Sequence, residues 1–153
     1  MSPLNVELRS IASLHLNPRN PRTHSKRQIR QIADSIRAFG FTNPVLIDDA
    51  NMIIAGHGRC EAAKLLGQES VPTIRLSAMT EAQKRAYVIA DNKLALNAGW
   101  DDQLLALELQ YLSDLELEFD LSVIGLRDGR DRSAALRLGG CRSRSDRACS
   151  SSG

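Results

Sequence analysis

Gly56-His57-Gly58-Arg59 is where the residue types of this chain come closest to chemistry. Two glycines two apart open backbone angles closed to other residues and let a ligand approach the amides. A turn of that kind can aim successive N–H groups at an anion. The helix that follows would add unpaired amides at its N-terminus. Arg59 brings a guanidinium fork that matches phosphate oxygens. His57 is a hydrogen-bond donor, or an acid or base near neutral pH, and is the one catalytic candidate. GxGR lacks the full glycine pattern of Walker or Rossmann sites. On these grounds a phosphate cradle and a plain structural turn both stand.

Three further stretches carry polar groups worth weighing. Residues 17–27, NPRNPRTHSKR, bring Arg19, Arg22, Lys26 and Arg27 into one loop and helix start. They suit either a solvated charge run or a clamp on phosphates or a nucleic-acid backbone. Gly40, Asn43 and Pro44 in GFTNP close a helix and fix the entry to a strand. Asp91, Asn92 and Lys93 interrupt an apolar helical segment, where they can meet a ligand or cap and turn the chain. No carboxylate pair, Ser/His/Asp set or HExxH emerges, so hydrolytic and metalloenzyme classes have no support.

The elements that must position these groups are short. Residues 6–16 alternate and predict one or two strands. Ser25 as N-cap with Gln28 three positions on forms a capping box for a helix over Lys26–Phe39, ended by Gly40. Val45–Ile47 and 52–55 predict strands around an acidic turn at 48–51, joined as a hairpin. A helix is expected from about residue 60 to 66, and a strand within 69–77. Another helix is expected over 80–90 from the cap Thr80; residues 91–93 break its surface pattern, 94–97 carry on, and Gly99 interrupts. One more spans 101–112, and the stretch 114–124 reads as a helix end and extended arm. The order predicts an α+β fold with a small mixed sheet and packed helices.

The net charge of +2 conceals a split. Residues 1–126 carry 13 Lys/Arg and 15 Asp/Glu, a sum of −2, whereas residues 127–153 carry 7 Arg and 3 Asp, a sum of +4. Basicity therefore belongs to the tail and says nothing of a nucleic-acid surface on the body. Residues 126–153, rich in Arg, Ser and Gly, are expected to be a disordered tail after a domain over 1–125. The three cysteines form no CxxC pair, which disfavours a zinc site or disulfide scaffold, and Cys60 reads as an apolar filler. There is no membrane-length apolar run and no signal peptide, so a cytoplasmic location is expected.

Over residues 9–125, in NPRNPRTHSKRQIRQIADSIRAFGFTNPVLID, IIAGHGRCEAAKLLG, VPTIRLS and EAQKRAYVIADNKLA, the chain resembles the ParB N-terminal-like domain of the ParB/sulfiredoxin superfamily. The likeness is to the variety at the front of phage and bacterial DNA-modification methyltransferases. It implies a nucleoside triphosphate, CTP or ATP with Mg, as ligand. By the same resemblance Gly40, Asn43 and Pro44 would bind nucleotide, and Gly56, His57, Gly58 and Arg59 would cradle the triphosphate. Asn92 would stand near Mg and phosphate, with Arg19 and Arg22 close by. An accessory role in DNA modification or maintenance follows, with DNA, a methyltransferase or a second copy as expected partners.

Departures bear on this. His57-Gly58 replaces the Glu-Arg of the ParB box, and the sulfiredoxin catalytic Cys position is His57. The serine-kinase branch needs an upstream Glu where this chain has Arg22 and Thr23. No helix-turn-helix domain or methyltransferase catalytic motif follows, and the tail reads as the out-of-frame or degenerate end of a truncated gene, or else as an Arg-rich segment that binds nucleic acid non-specifically. An enzyme acting by ATP-dependent phosphoryl transfer or NTP hydrolysis, and a DNA-binding or nuclease module, remain as alternatives.

Overall fold

The computed structural model describes residues 3–126; the expected tail after 126 lies outside the described residues. The chain divides into two compact units, one ending at Gly99 and one beginning at Trp100.

The first unit holds a four-stranded mixed sheet in the order β1-β4-β2-β3, with β1 at Val6–Ser10, β2 at Val45–Ile47, β3 at Ile53–Ala55 and β4 at Ser70–Arg75. β4 pairs antiparallel with β1 and parallel with β2, while β2 and β3 form the expected antiparallel hairpin. After β1 the chain makes a 3-10 turn at Ile11–Ser13, and His15 then bridges to Met52. A full second strand in that region does not form.

Helix α1, Lys26–Phe39, starts on the capping box. Gln28 N–H donates to Ser25 Oγ at 3.1 Å, and Ser25 N–H donates to Gln28 Oε1 at 3.3 Å. Its Ala33 and Ile36 pack on Ala62 of α2, His57–Leu65. Ala62 and Ala63 are fully buried, and their small side chains let α2 lie close to both α1 and the sheet. Val45, Ile47, Ile53, Cys60 and Val71 fill the core beneath, together with Ile11 and Ala63. Burial of each branched side chain contributes about 1.5–3 kcal/mol. Burial also pushes the Cys60 thiol up to about 11, in keeping with a packing residue.

Asp48 locks the hairpin turn. One carboxylate oxygen accepts N–H bonds from Ala50 and Met52, both at 2.9 Å, and the other accepts from Lys84 at 3.1 Å. Lys84 belongs to α3, Glu81–Asn97, which has its own capping box at Thr80. Helix α3 is continuous. Residues 91–93 break its surface pattern without breaking the helix, which carries on to Asn97 and stops before Gly99 as expected; Asn92 Nδ2 donates to the Val88 carbonyl one turn back at 2.7 Å.

The second unit contains α4, Asp102–Ser113, capped by Asp101, and a 3-10 turn at Leu121–Ile124 instead of an extended arm. No described helix is long and apolar enough to cross a membrane.

Candidate functional site

The sequence pattern places GHGR in a turn ahead of a helix beginning near residue 60. In the structure Gly56 is itself the N-cap, and His57, Gly58 and Arg59 form the first turn of α2. Gly56 alone of the pair takes a positive φ, 104°. It can do so without Cβ strain, and no side chain caps the helix, so first-turn amides are left without an intrahelical acceptor. Gly58 serves a different need. A Cβ there would stand 3.0 Å from Ile32 Cδ1 and 3.1 Å from the His24 ring, so its absence lets α1 and the 17–25 loop close on α2.

Arg59 folds back over this turn. Its Nη2 donates to the Pro44 carbonyl at 3.1 Å, and its Nε is buried without a partner. A Cβ on Gly56 would meet Nη2 at 2.9 Å and Nε at 3.2 Å, so the guanidinium lies against the cap itself. Burial pulls the Arg59 pKa down from its usual value, and Asp91 opposes the shift.

The imidazole of His57 is pinned: its Nε2 accepts from the Asn17 amide at 3.2 Å. Burial holds its pKa below the usual histidine value, helped by His24 and opposed by Glu61. His24 is lowered as well, first by burial and then by Arg22. The loop holding these groups repeats one device. Asn17 Oδ1 accepts from Arg19 N–H at 3.0 Å, and Asn20 Oδ1 accepts from Arg22 N–H at 3.2 Å, one side-chain turn in each Asn-Pro-Arg.

These groups line a cleft of about 450 Å³ between the 20–24 loop, β2, β3, the start of α2 and one face of α3. Arg22, Asn43, Pro44, Gly56, His57, Gly58, Arg59 and Asn92 all reach it. Gly40, Arg19, Lys26 and Arg27 do not. Gly40 is the C-cap of α1, its amide bonded to the Ile36 carbonyl at 2.8 Å. Arg19 borders a separate, mainly apolar cleft, and Lys26 an open groove between α1 and α2. The cleft also gathers Asp91, weighed in the sequence as a ligand contact, and Asn20, His24 and Tyr87, which the sequence pattern does not single out. Tyr87, Asp91 and Ala95 are spaced as one helical face, a signal that could have found Tyr87. His24 has no local signal.

A mixed α+β domain whose cleft is capped by a glycine-started helix and a buried arginine agrees with the comparisons. The family model of the ParB N-terminal domain matches residues 4–92, and the chain belongs to that family. It is similar to the ParB-like nuclease domain-containing protein YnaK of Escherichia coli (strain K12), 49% identical over 82 residues that cover 54% of this chain and 94% of that protein. It is also similar to the stage 0 sporulation protein J of Bacillus subtilis (strain 168), 31% identical over 96 residues, covering 60% of this chain and 34% of that protein. The chain thus spans only about a third of the latter. The fold is shared with the C-terminally truncated chromosome-partitioning protein ParB of Caulobacter crescentus, complexed with CTP-γ-S, at a TM-score of 0.60 and 22% identity, covering 86% of this chain and 71% of that one.

Proposed function

We propose that this ParB-like domain binds a nucleoside triphosphate, with the phosphates at the first turn of α2. The observation that carries the reading is the Arg59 guanidinium, with a buried, unpartnered Nε held against the left-handed Gly56 cap. A buried cationic donor left unpaired is costly unless an anion completes it. Unpaired helix amides beside it supply the complementary donors.

Gly56, Gly58 and Arg59 would hold the phosphates, Arg22 would add charge at the rim, and Asn43, Pro44 and Tyr87 would face the sugar or base. The CTP-γ-S complex of the Caulobacter protein motivates CTP as the first nucleotide to test, with ATP the second. A Mg²⁺ ion accompanying the phosphates would neutralise part of their charge, and Asp91 and Asn92 offer it oxygen ligands on the α3 wall.

His57 borders the cleft, but its Nε2 is committed to the Asn17 amide, so the reading is of a binding module and not of a phosphoryl-transfer enzyme. Its setting is DNA maintenance or modification. The similarity to sporulation and partitioning proteins supports the former, and the resemblance to methyltransferase-linked domains the latter.

Calorimetric titration of the full chain with CTP, ATP and GTP, with and without Mg²⁺, tests the proposal. Saturable binding of at least one, without its turnover, is expected. Absence of binding for all three would sink it.

A further inference from the structure

The cations of the first unit are not distributed evenly between paired and unpaired states. Arg9, Arg37, Lys64, Arg75 and Lys84 each contact a carboxylate. Among the described residues no ion pair engages Arg22, Lys26 or Arg30. These three lie together along one side of an open groove of about 780 Å³, and Lys64 of α2 stands among its lining residues too. Among the described residues Glu61 is the only acid lining it, and it is already paired with Lys64 at 3.1 Å.

The groove is built by helix geometry. Lys26, Ile29 and Arg30 share one face of α1, and Glu61, Lys64 and Leu65 one face of α2. Close α1–α2 packing at Ala33, Ile36 and Ala62 brings the two faces alongside each other. Unneutralised positive charge in a concave site concentrates anions. Lys26 and Arg30 are separated by about 6 Å along the helix axis. One nucleic-acid strand advances by about 3.4 Å per charge, so two cations at this spacing cover about two phosphates. Ile29 and Leu65 add aliphatic surface, and among the described residues the imidazoles of His24 and His57 are the only aromatic rings that line the groove. Both are half-buried and His57 Nε2 is held by the Asn17 amide, so stacking is a minor part of the grip.

We propose that the groove between α1 and α2 grips the phosphodiester backbone of nucleic acid, without reading the bases, through the unpaired Lys26 and Arg30, with Lys64 joining them by exchanging Glu61 for a phosphate. The groove adjoins the nucleotide cleft and shares Asn20, Arg22, His24 and His57 with it, but Lys26, Arg30 and Lys64 lie outside that cleft, and the proposal does not depend on nucleotide binding there. The grip also differs from the arginine set of residues 19–27, of which Arg19 and Arg27 lie outside the groove.

Fluorescence anisotropy with labelled oligonucleotides of arbitrary sequence tests it, using a duplex in one arm and the unpaired strand in the other. The full chain is kept, so the arginines after residue 126 contribute equally to every variant. Combining Lys26→Glu, Arg30→Glu and Lys64→Glu should weaken duplex binding at least tenfold at about 0.1 M salt. The slope of log affinity against log salt should become shallower by about 3. The unpaired strand should show the same loss with a smaller slope change, because the phosphates are shared. Arg27→Glu makes the same charge change on α1 outside the groove and should leave affinity within about twofold, whereas Lys26→Glu alone should exceed that. Unchanged affinity and slope in the triple variant would overturn the proposal. Equal losses in Arg27→Glu and Lys26→Glu would also overturn it, and this matched pair decides the matter if the triple variant fails to fold.

Discussion

Arg59 reaches from the first turn of α2 to the Pro44 carbonyl, 3.1 Å away, and so joins the start of α2 to the residue that precedes β2. One guanidinium nitrogen closes the wall while Nε stays buried without a partner, the donor that the proposed nucleotide would complete. Arg59→Lys keeps the charge but loses the planar fork, and an ammonium cannot serve both directions. Nucleotide affinity should fall by at least tenfold in calorimetric titration while the fold persists by circular dichroism. Unaltered affinity would show that the phosphates bind elsewhere.

Gly56→Ala tests the backbone beneath that arginine. An alanine there must hold φ near 104° and place Cβ within 2.9 Å of Arg59 Nη2 and 3.2 Å of Val45 Cγ2. The strained backbone alone costs about 1–3 kcal/mol. Urea unfolding should show that loss, and nucleotide binding should drop because the guanidinium must move. Equal stability of mutant and wild type would mean the helix start is not fixed as described.

Acid should loosen the 17–25 loop before it affects the hairpin. His57 and His24 both have folded pKa values below 6.5, so the unfolded chain takes up protons first as pH falls. Their stabilising contribution is complete above 6.5 and is lost as pH falls through their lowered folded values. Protonating Nε2 also removes the acceptor of the Asn17 amide. The thermal midpoint should decline from about pH 8 to about pH 5, and His57→Gln with His24→Gln should flatten that decline. A wild-type midpoint that is flat or rises toward acid would contradict this.

Asp48 governs a lower pH window. Burial raises its pKa, but the Met52 amide, Lys84 and the Ala50 amide together outweigh it and leave the carboxyl below its usual value. Its contribution is present above 3.8 and lost only as pH falls through the depressed value. Asp48→Ala would leave two hairpin N–H groups without an acceptor and α3 without its tether, a loss of about 3 kcal/mol. Chemical denaturation at neutral pH should read it. A loss under about 0.5 kcal/mol would show that water replaces the carboxylate freely.

The parts of this architecture written in local signals were legible before the fold. Ser25 and Gln28 announce the start of α1, and the 48–51 turn announces the hairpin, because each depends on groups within four residues. The start of α2 was not legible at the right residue. Its cap is a left-handed glycine with no side-chain acceptor, and such a cap looks the same in sequence as a loop glycine. Helix α3 is legible to its end before Gly99, and Asp91 and Asn92 stand out as polar groups in an apolar segment. Tyr87 does not, because one aromatic residue on a helix reads equally as packing or as cleft wall. His24 enters the cleft only through packing against Gly58, more than thirty residues away, and no local pattern encodes such a meeting.

The place of β4 in the sheet has a consequence for how the molecule is made. It lies between β1 and β2, so the first strand, at Val6–Ser10, has no neighbour until Ser70–Arg75 exists. A growing chain can form α1 and the β2–β3 hairpin early, since their contacts are local. The sheet must then wait for a pairing that closes a long loop, the slow kind of step in folding. During that interval Leu46 and Ile74 cannot yet form the common floor of the cleft. The proposed nucleotide site is therefore incomplete until the central strand is in place, and order of synthesis sets order of competence.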